Sequence, residues 1–374
     1  MKRKKWTILI YADGNNEMEQ VIYESMESLK GMEANKDISV VMEIGLLGKS
    51  EISTALKSSG VKRYNLNSPN PILLEDLGKV NMADPNNLYS FISWGIKEFP
   101  ANHYMLILSG HGAGFVGGLT DISLEDNYIM GIPEMAKAIG AGSKDSKSII
   151  DILLLDMCFM NSIEILHELT QYNDSIKRMI TYTNAAPYSG LNYNALIKLT
   201  EKNSRIKDID LFIRYIIDNL NFGLTAYRLD KSQLDFIKKK FSDLAFYYLM
   251  NKGVNESPIS LVKNLSLKDT SGKYIDDTSY KYINEINSLI QSTIICSKSK
   301  FHGINSSIKI TSEDMSKLIH FYSKLAFSKD NCWTNLLCSN QTNINTTATN
   351  KIKVRTINSS TSTIHYILEF NSLK

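Results

Sequence analysis

The sequence has few cysteines and no long apolar run, and each shortage excludes a class of protein. Its four cysteines form no CxxC pair and no dense framework, so a disulfide-stapled scaffold is excluded. Cys332 and Cys338 could pair, but free thiols in a reducing compartment are the expectation. No apolar run reaches the roughly 18 residues that a membrane-spanning helix needs. We therefore expect no membrane insertion.

Neither sign of charge dominates the chain. It has 42 basic and 39 acidic side chains, a net charge of +3, so no nucleic acid is expected as a partner. The basic residues 2–5 are interpreted as a solvated terminus. The apolar run at residues 6–11 is too short for a signal peptide and lacks a small-residue cleavage site. We expect a cytoplasmic protein, and secretion stays open if the sequence omits an export signal.

The first half of the chain alternates apolar runs with helical patterns. The runs predict buried strands at residues 7–11, 38–44, 104–108, 149–155 and 178–183, with a short edge strand at 62–66. The helical patterns fall at residues 17–32, 88–99, 132–139 and 162–172. Strands that alternate with helices predict βαβ units, and strands that are apolar throughout predict burial on both faces. The fold class is therefore α/β, with a mostly parallel sheet flanked by helices.

The second half of the chain is less regular. Helices are predicted at residues 208–220, 231–250, 280–297 and 312–327, a loop at 251–279, a strand at 304–310, and β hairpins after 338. These patterns predict two parts. Residues 1–250 form the α/β core, and residues 251–374 form a mixed α+β extension of helices and β hairpins packed on that core.

Two predicted strands end in reactive side chains. His111 follows the third strand and Cys158 follows the fourth. Ligands of open parallel sheets bind beyond the carboxyl ends of the strands. If the two strands are neighbours, the imidazole can take the thiol proton and the thiolate becomes a nucleophile. Each residue also has a plainer interpretation, since a cysteine at a buried strand end is usually inert packing and a glycine-flanked histidine is often a turn residue.

The residues around this pair suggest further roles. The N–H groups of Gly112 and Cys158 could stabilise an oxyanion, because a glycine allows close approach and a helix is expected to begin just after Cys158. Asp156 could bind a basic substrate side chain, or it could cap the following helix. Asp121, Glu125 and Asp126 form an acidic cluster that could bind Ca²⁺, but its spacing fits a solvated loop better than an EF-hand.

Several segments together resemble the clostripain-like family of cysteine peptidases, peptidase family C11 of the caspase-like clan. The histidine segment is LSGHGAG at residues 108–114, and the cysteine segment is LDMCFM at residues 155–160. Residues 6–19 and 132–139 also match, as do, weakly, 302–304 and 333–337. The resemblance implies a caspase-like sheet and peptide or protein substrates.

The resemblance also implies roles for single residues. His111 matches the catalytic histidine and Cys158 the nucleophile, while Gly112 and Cys158 would supply the oxyanion donors. Asp156 matches an acidic residue of the S1 pocket, which favours Arg or Lys in the family. Relatives often carry another acidic residue after the fifth strand. Residues 183–190 contain no carboxylate, so the basic preference depends on Asp156 alone.

Two regulatory properties of relatives are also relevant. Many relatives activate by self-cleavage after a basic residue, and residues 140–148 offer Lys144 and Lys147 in a loop of small residues. A plain solvated connector is the alternative interpretation. Calcium activates some relatives, but no site for it is evident in the sequence, and no other cofactor is expected.

The resulting hypothesis is a cysteine endopeptidase that cleaves after Arg or Lys through a Cys–His dyad and a thioester acyl-enzyme. One alternative is a non-catalytic pseudo-peptidase that binds basic peptides. Another is an intracellular regulatory or processing protease with a different P1 preference.

Overall fold

The computed structural model describes residues 3–32, 35–49, 59–172, 174–183, 185–251, 277–298 and 318–339. Within them, nine strands form one sheet and two further strands form a small hairpin. The strands are Lys4–Gly14 (β1), Ile38–Leu46 (β2), Gly60–Asn65 (β3), Ile72–Gly78 (β4), Ala101–Ser109 (β5), Gly118–Asp121 (β6), Tyr128–Met130 (β7), Ile152–Asp156 (β8), Arg178–Tyr182 (β9), Leu224–Arg228 (β10) and Ile294–Ser297 (β11). The large sheet has the order β11-β10-β9-β8-β5-β1-β2-β3-β4.

The interior of the large sheet is parallel and its margins are antiparallel. Strands β9, β8, β5, β1 and β2 pair in parallel. Two antiparallel strands flank them on each side. The predicted α/β class with a mostly parallel sheet is confirmed. The prediction that residues 62–66 form an edge strand is wrong, because β4 pairs outside β3.

Helices lie along the chain between and after the strands. Their bounds are Glu19–Glu27 (α1), Pro85–Glu98 (α2), Ile132–Asp145 (α3), Ile163–Leu169 (α4), Tyr193–Asn203 (α5), Ile209–Asn219 (α6), Lys231–Met250 (α7), Asp277–Thr293 (α8), Ile319–Tyr322 (α9) and Cys332–Ser339 (α10). Local chemistry explains several starts. Asp84 caps α2 by accepting from the Asn86 N–H, with Pro85 in the first turn, and Asp230 caps α7 in the same way through the Gln233 N–H.

The sheet separates two apolar cores. Leu9 and Tyr11 of β1 point into the core that includes residues of α2, α3, α4, α7 and α8. Ile8 and Ile10 point into the other core, which includes residues of α1, α5 and α6. Alternate residues of a strand face opposite sides, so a strand between two covered faces must be apolar throughout. This is why all residues of β2 are buried.

Three local predictions need correction. Helix α3 continues to Asp145, so much of the segment expected to be a loop, including Lys144, is helical, and Lys147 follows the helix with a φ of 51°. The helix predicted at residues 280–297 ends at Thr293, where the chain enters β11. For the helix predicted at residues 312–327, the structure describes residues 318–327. They form only the short helix α9, with turns around it.

Some predictions lie beyond what the structure describes. The strand at residues 304–310, the hairpins after 338 and most of the loop at 251–279 fall outside the described residues. Because β11 pairs with β10, the large sheet includes a strand from after residue 250. The division into residues 1–250 and 251–374 stays a prediction. None of the helices among the described residues has the length and apolar character that crossing a membrane requires.

Candidate active site

The strands that precede His111 and Cys158 are neighbours. Strands β5 and β8 pair in parallel, and their last matched residues are Ser109 and Asp156. His111 and Cys158 each follow two residues after that matched pair. Both residues therefore lie at the same edge of the sheet, each two positions beyond the Ser109–Asp156 pair. Each is partly exposed, as a residue that meets substrate must be.

The segments that follow these two strands also pack against each other. A Cβ built on Gly112 would lie 2.1 Å from the carbonyl oxygen of Cys158, so only glycine allows this approach. The Leu119 N–H donates to the His111 carbonyl oxygen at 2.9 Å, which ties the histidine loop to β6. The backbone of the histidine loop is thus held directly against the cysteine turn.

The turn that carries Cys158 differs from the expectation. Helix α4 begins at Ile163 with Ser162 as N-cap, close to the predicted start at residue 162, but Cys158 lies four residues before that cap and not at the helix N-terminus. Cys158 lies in a turn, and Phe159 after it has a φ of 62° and is 51% exposed. A left-handed backbone at a residue other than glycine costs free energy and often occurs at functional sites. The oxyanion roles of Gly112 and Cys158 stay predictions.

Glu17 lies beside the imidazole of His111. Its Oε1 is 2.9 Å from the histidine Nε2, although the approach is out of line with a ring N–H, so it is a charge contact rather than an aligned hydrogen bond. Sequence analysis did not single out Glu17. One signal could have found it: β1 pairs with β5, with Ala12 opposite Ser109, so residues just after β1 lie near the histidine loop.

Asp156 is buried beside the cysteine turn and accepts four hydrogen bonds. Tyr182 donates to its Oδ1 at 2.7 Å, and Oδ2 accepts from Tyr193 at 2.6 Å, from Ser109 at 3.1 Å and from the Leu191 N–H at 3.4 Å. Tyr182 and Tyr193 both have a pKa well above the usual range of a phenol. Burial is the main cause, and the charge of Asp156 is the second. Both tyrosines therefore stay protonated and donate to the carboxylate.

No cation neutralises Asp156 among the described residues, whose ion pairs all involve other carboxylates. Gly190 lies next to the carboxylate of Asp156, because a Cβ built there would be 3.4 Å from Oδ2. Its φ of 63° also favours glycine. Sequence analysis missed Tyr182, Tyr193 and Gly190, since their approach to Asp156 depends on how β9 and the start of α5 fold around β8.

The acidic cluster offered as a calcium site does not fit a metal. Asp121 is fully buried, and its oxygens accept from the Met82 N–H at 2.6 Å, from Asn15 at 2.8 Å and from Ser123. Its carboxylate is therefore used to hold the loop. Within the described ranges, no group of three or more His, Cys, Asp or Glu side chains could hold a metal ion.

Comparisons with known proteins show the family and the fold of the chain. The model of the Clostripain family matches residues 10–369. A secreted C11 cysteine protease from Bacteroides thetaiotaomicron, "iotapain", superposes with a TM-score of 0.63 at 14% identity, covering 88% of this chain and 99% of its own. An inactive zymogen C11 protease from Parabacteroides distasonis superposes with a TM-score of 0.58 at 15% identity. The superposition covers 88% of this chain and 99% of that protease.

These solved structures share the fold, and the family match extends over nearly the whole chain. None of the curated proteins matches the chain. The match includes the histidine loop, the cysteine turn and both strands that lead to them. The chain belongs to the clostripain family and is a cysteine-type peptidase.

Proposed function

We propose that the chain is an endopeptidase that cleaves peptide bonds after Arg or Lys, with His111 and Cys158 as its catalytic dyad. The observation that carries the proposal is the parallel register of β5 and β8, which matches Ser109 with Asp156. Because both reactive residues follow that pair by two positions, a thiol and an imidazole face one substrate at one edge of the sheet.

The proposed reaction has two steps. The S–H bond of Cys158 breaks as the imidazole of His111 takes the proton, and the sulfur attacks the scissile carbonyl carbon. The carbonyl π pair moves to oxygen, where the N–H groups of Gly112 and Cys158 donate to it. When the C–N bond breaks, the imidazolium gives its proton to the leaving amine. Water, deprotonated by His111, then cleaves the thioester and restores the thiol.

The preference for Arg or Lys is proposed from Asp156. Four neutral groups donate to this carboxylate, while no ion pair neutralises it among the described residues. Hydrogen bonds to a carboxylate favour its charged form. A buried negative charge held without a counter-ion is a site for a cationic side chain. Gly190 leaves room for that side chain beside Oδ2.

The test compares Cys158→Ala with Cys296→Ala on internally quenched peptides that contain Arg, Lys or norleucine at P1. Loss of the nucleophile should lower turnover at least about 10³-fold with unchanged thermal stability. Cys296 is the matched control, because burial raises the pKa of its thiol to about 11 and it lies on β11, away from the site. Full turnover by Cys158→Ala would refute the dyad. Equal cleavage after norleucine and Lys would refute the P1 assignment.

A further inference from the structure

Glu17 is an acidic residue in direct contact with the proposed catalytic base. It follows β1, the strand that pairs with β5, and its Oε1 lies 2.9 Å from His111 Nε2. That nitrogen is enclosed by protein and makes no aligned hydrogen bond. The side chain of Glu17 is 74% exposed and that of His111 is 37% exposed. The contact therefore joins a largely exposed carboxylate to a partly exposed ring.

The chemistry of imidazole gives this contact a consequence. A neutral imidazole carries one proton, and the nitrogen without it is the base. A carboxylate beside Nε2 favours the tautomer with the proton on Nε2, and Nδ1 is then left as the base. The same carboxylate stabilises the imidazolium that forms when the thiol proton is taken. Orientation of a histidine by a third group is a general requirement of nucleophile–base pairs.

The other acidic residue at the end of β1 does not compete for this role. Asp13 is fully buried, and burial together with the nearby Asp121 raises its pKa well above the usual range. Its surroundings therefore disfavour a charge on this carboxyl group. Asp13 Oδ1 accepts from the Asn15 N–H at 3.2 Å, and Oδ2 has no hydrogen-bond partner. The charge that faces the ring is that of Glu17.

We propose that Glu17 is a positioning residue for His111, holding Nε2 so that Nδ1 takes the proton of Cys158. The role rests on the proposed function, because it requires His111 to be the base. Glu17 does not touch the substrate or the thiol in this scheme. Its effect should therefore appear in turnover rather than in substrate affinity, and it should disappear when His111 is absent.

The experiment measures kcat, KM and the rate at which iodoacetamide alkylates Cys158, in the full-length protein. The variants are Glu17→Gln, Glu17→Asp, His111→Ala and the double variant Glu17→Gln/His111→Ala. Glu24→Gln is the matched control, because Glu24 is an exposed residue of α1 and its replacement removes the same charge. The alkylation rate gives a readout even where turnover is lost.

We expect Glu17→Gln to lower kcat and the alkylation rate about five-fold, with KM within about two-fold, the size of effect that an exposed ion pair supplies. Glu17→Asp should recover part of the loss, and Glu24→Gln should change neither rate. In the His111→Ala background, Glu17→Gln should have no further effect on alkylation.

Three results would overturn the proposal while leaving the proposed function intact. They are equal rates in Glu17→Gln and Glu24→Gln, a higher kcat in Glu17→Gln, and an equal loss of alkylation with and without His111. A fourth result would overturn both the proposed dyad and the role of Glu17. If Cys158 alkylates as fast in His111→Ala as in the unchanged protein, then no His–Cys pair exists, and both the dyad and the role of Glu17 fail.

Discussion

Two buried aspartates at the same edge of the sheet have opposite surroundings. Asp13 is the next-to-last residue of β1 and Asp156 is the last residue of β8, and both strands pair with β5. Their exposed fractions are 0% and 5%. Asp13 has one donor, the Asn15 N–H, and one oxygen without a partner. Asp156 has four donors.

The comparison shows that burial at a strand end does not by itself make a binding group. Desolvation disfavours a charged carboxyl, and donors to its oxygens favour it. Asp13 has a single donor and lies near Asp121, and burial together with that neighbour raises its pKa and disfavours its charge. For Asp156, Tyr182 and Tyr193 supply donors from two other elements. The two aspartates are buried to a similar extent, so they differ in the number of hydrogen-bond donors around the carboxyl group.

The largest effect expected from this comparison is on P1 selectivity. Asp156→Asn should lower kcat/KM for peptides with Arg or Lys at P1 about 10²-fold, because the cationic side chain loses its buried counter-charge. The value for norleucine peptides should change less than about three-fold. Asp13→Asn is the matched control, because it makes the same replacement at a buried aspartate whose surroundings disfavour a charge. In Asp13→Asn, the ratio of kcat/KM for Lys peptides to kcat/KM for norleucine peptides should stay within about two-fold of its value in the unchanged protein.

Each of the two variants, Asp156→Asn and Asp13→Asn, can contradict the assignment of Asp156 as the binding group for a basic side chain. A loss of the same size for norleucine and Lys peptides in Asp156→Asn would mean that the change damages the site generally. An altered Lys-to-norleucine ratio in Asp13→Asn would mean that Asp13 carries a charge that the substrate senses.

A third buried carboxyl, away from the site, tests the importance of donors through protein stability instead of substrate selectivity. Glu168 of α4 is 2% exposed and accepts from the Ala326 N–H at 2.6 Å, and burial raises its pKa to about 7. Because the folded pKa lies above the unfolded value of 4.5, its contribution to stability is full below about pH 4.5 and is lost as pH rises through about 7.

Urea unfolding of Glu168→Gln at several pH values measures that contribution. The glutamine keeps an oxygen for the Ala326 N–H but does not titrate. Relative to the unchanged protein, its free energy of unfolding should rise by about 2–3 kcal/mol between pH 5 and pH 8. A difference that is constant over this range would contradict the account. Comparison at equal pH removes the titration of every other group.

Much of the fold could be predicted from the sequence, including the strands that lead to the proposed site. Residues 7–11 and 38–44 are apolar throughout, and such runs are expected only where both faces of a strand are covered. His111 and Cys158 are proposed as site residues because each follows such a run, and strand ends are where open sheets bind ligands. The sequence leaves the pairing of β5 with β8 open, and the structure supplies it.

The rest depended on tertiary contacts. Strand β4 carries exposed Ile72, Leu73 and Leu74, so it lacked the alternation that marks a half-buried strand. The donors to Asp156 come from β9 and the start of α5, and Glu17 meets His111 only because β1 lies beside β5. Partners that lie far apart in sequence leave no local pattern.

The central claim is that Cys158 is the nucleophile of a site that accepts a basic side chain. Its most direct test is treatment of the folded protein with a peptidyl chloromethyl ketone that ends in lysine, followed by peptide mapping with mass spectrometry. The account predicts one adduct, on the sulfur of Cys158, formed much faster than with the matching norleucine reagent. An adduct on Cys296, Cys332 or Cys338 instead, or equal rates for the two reagents, would contradict it.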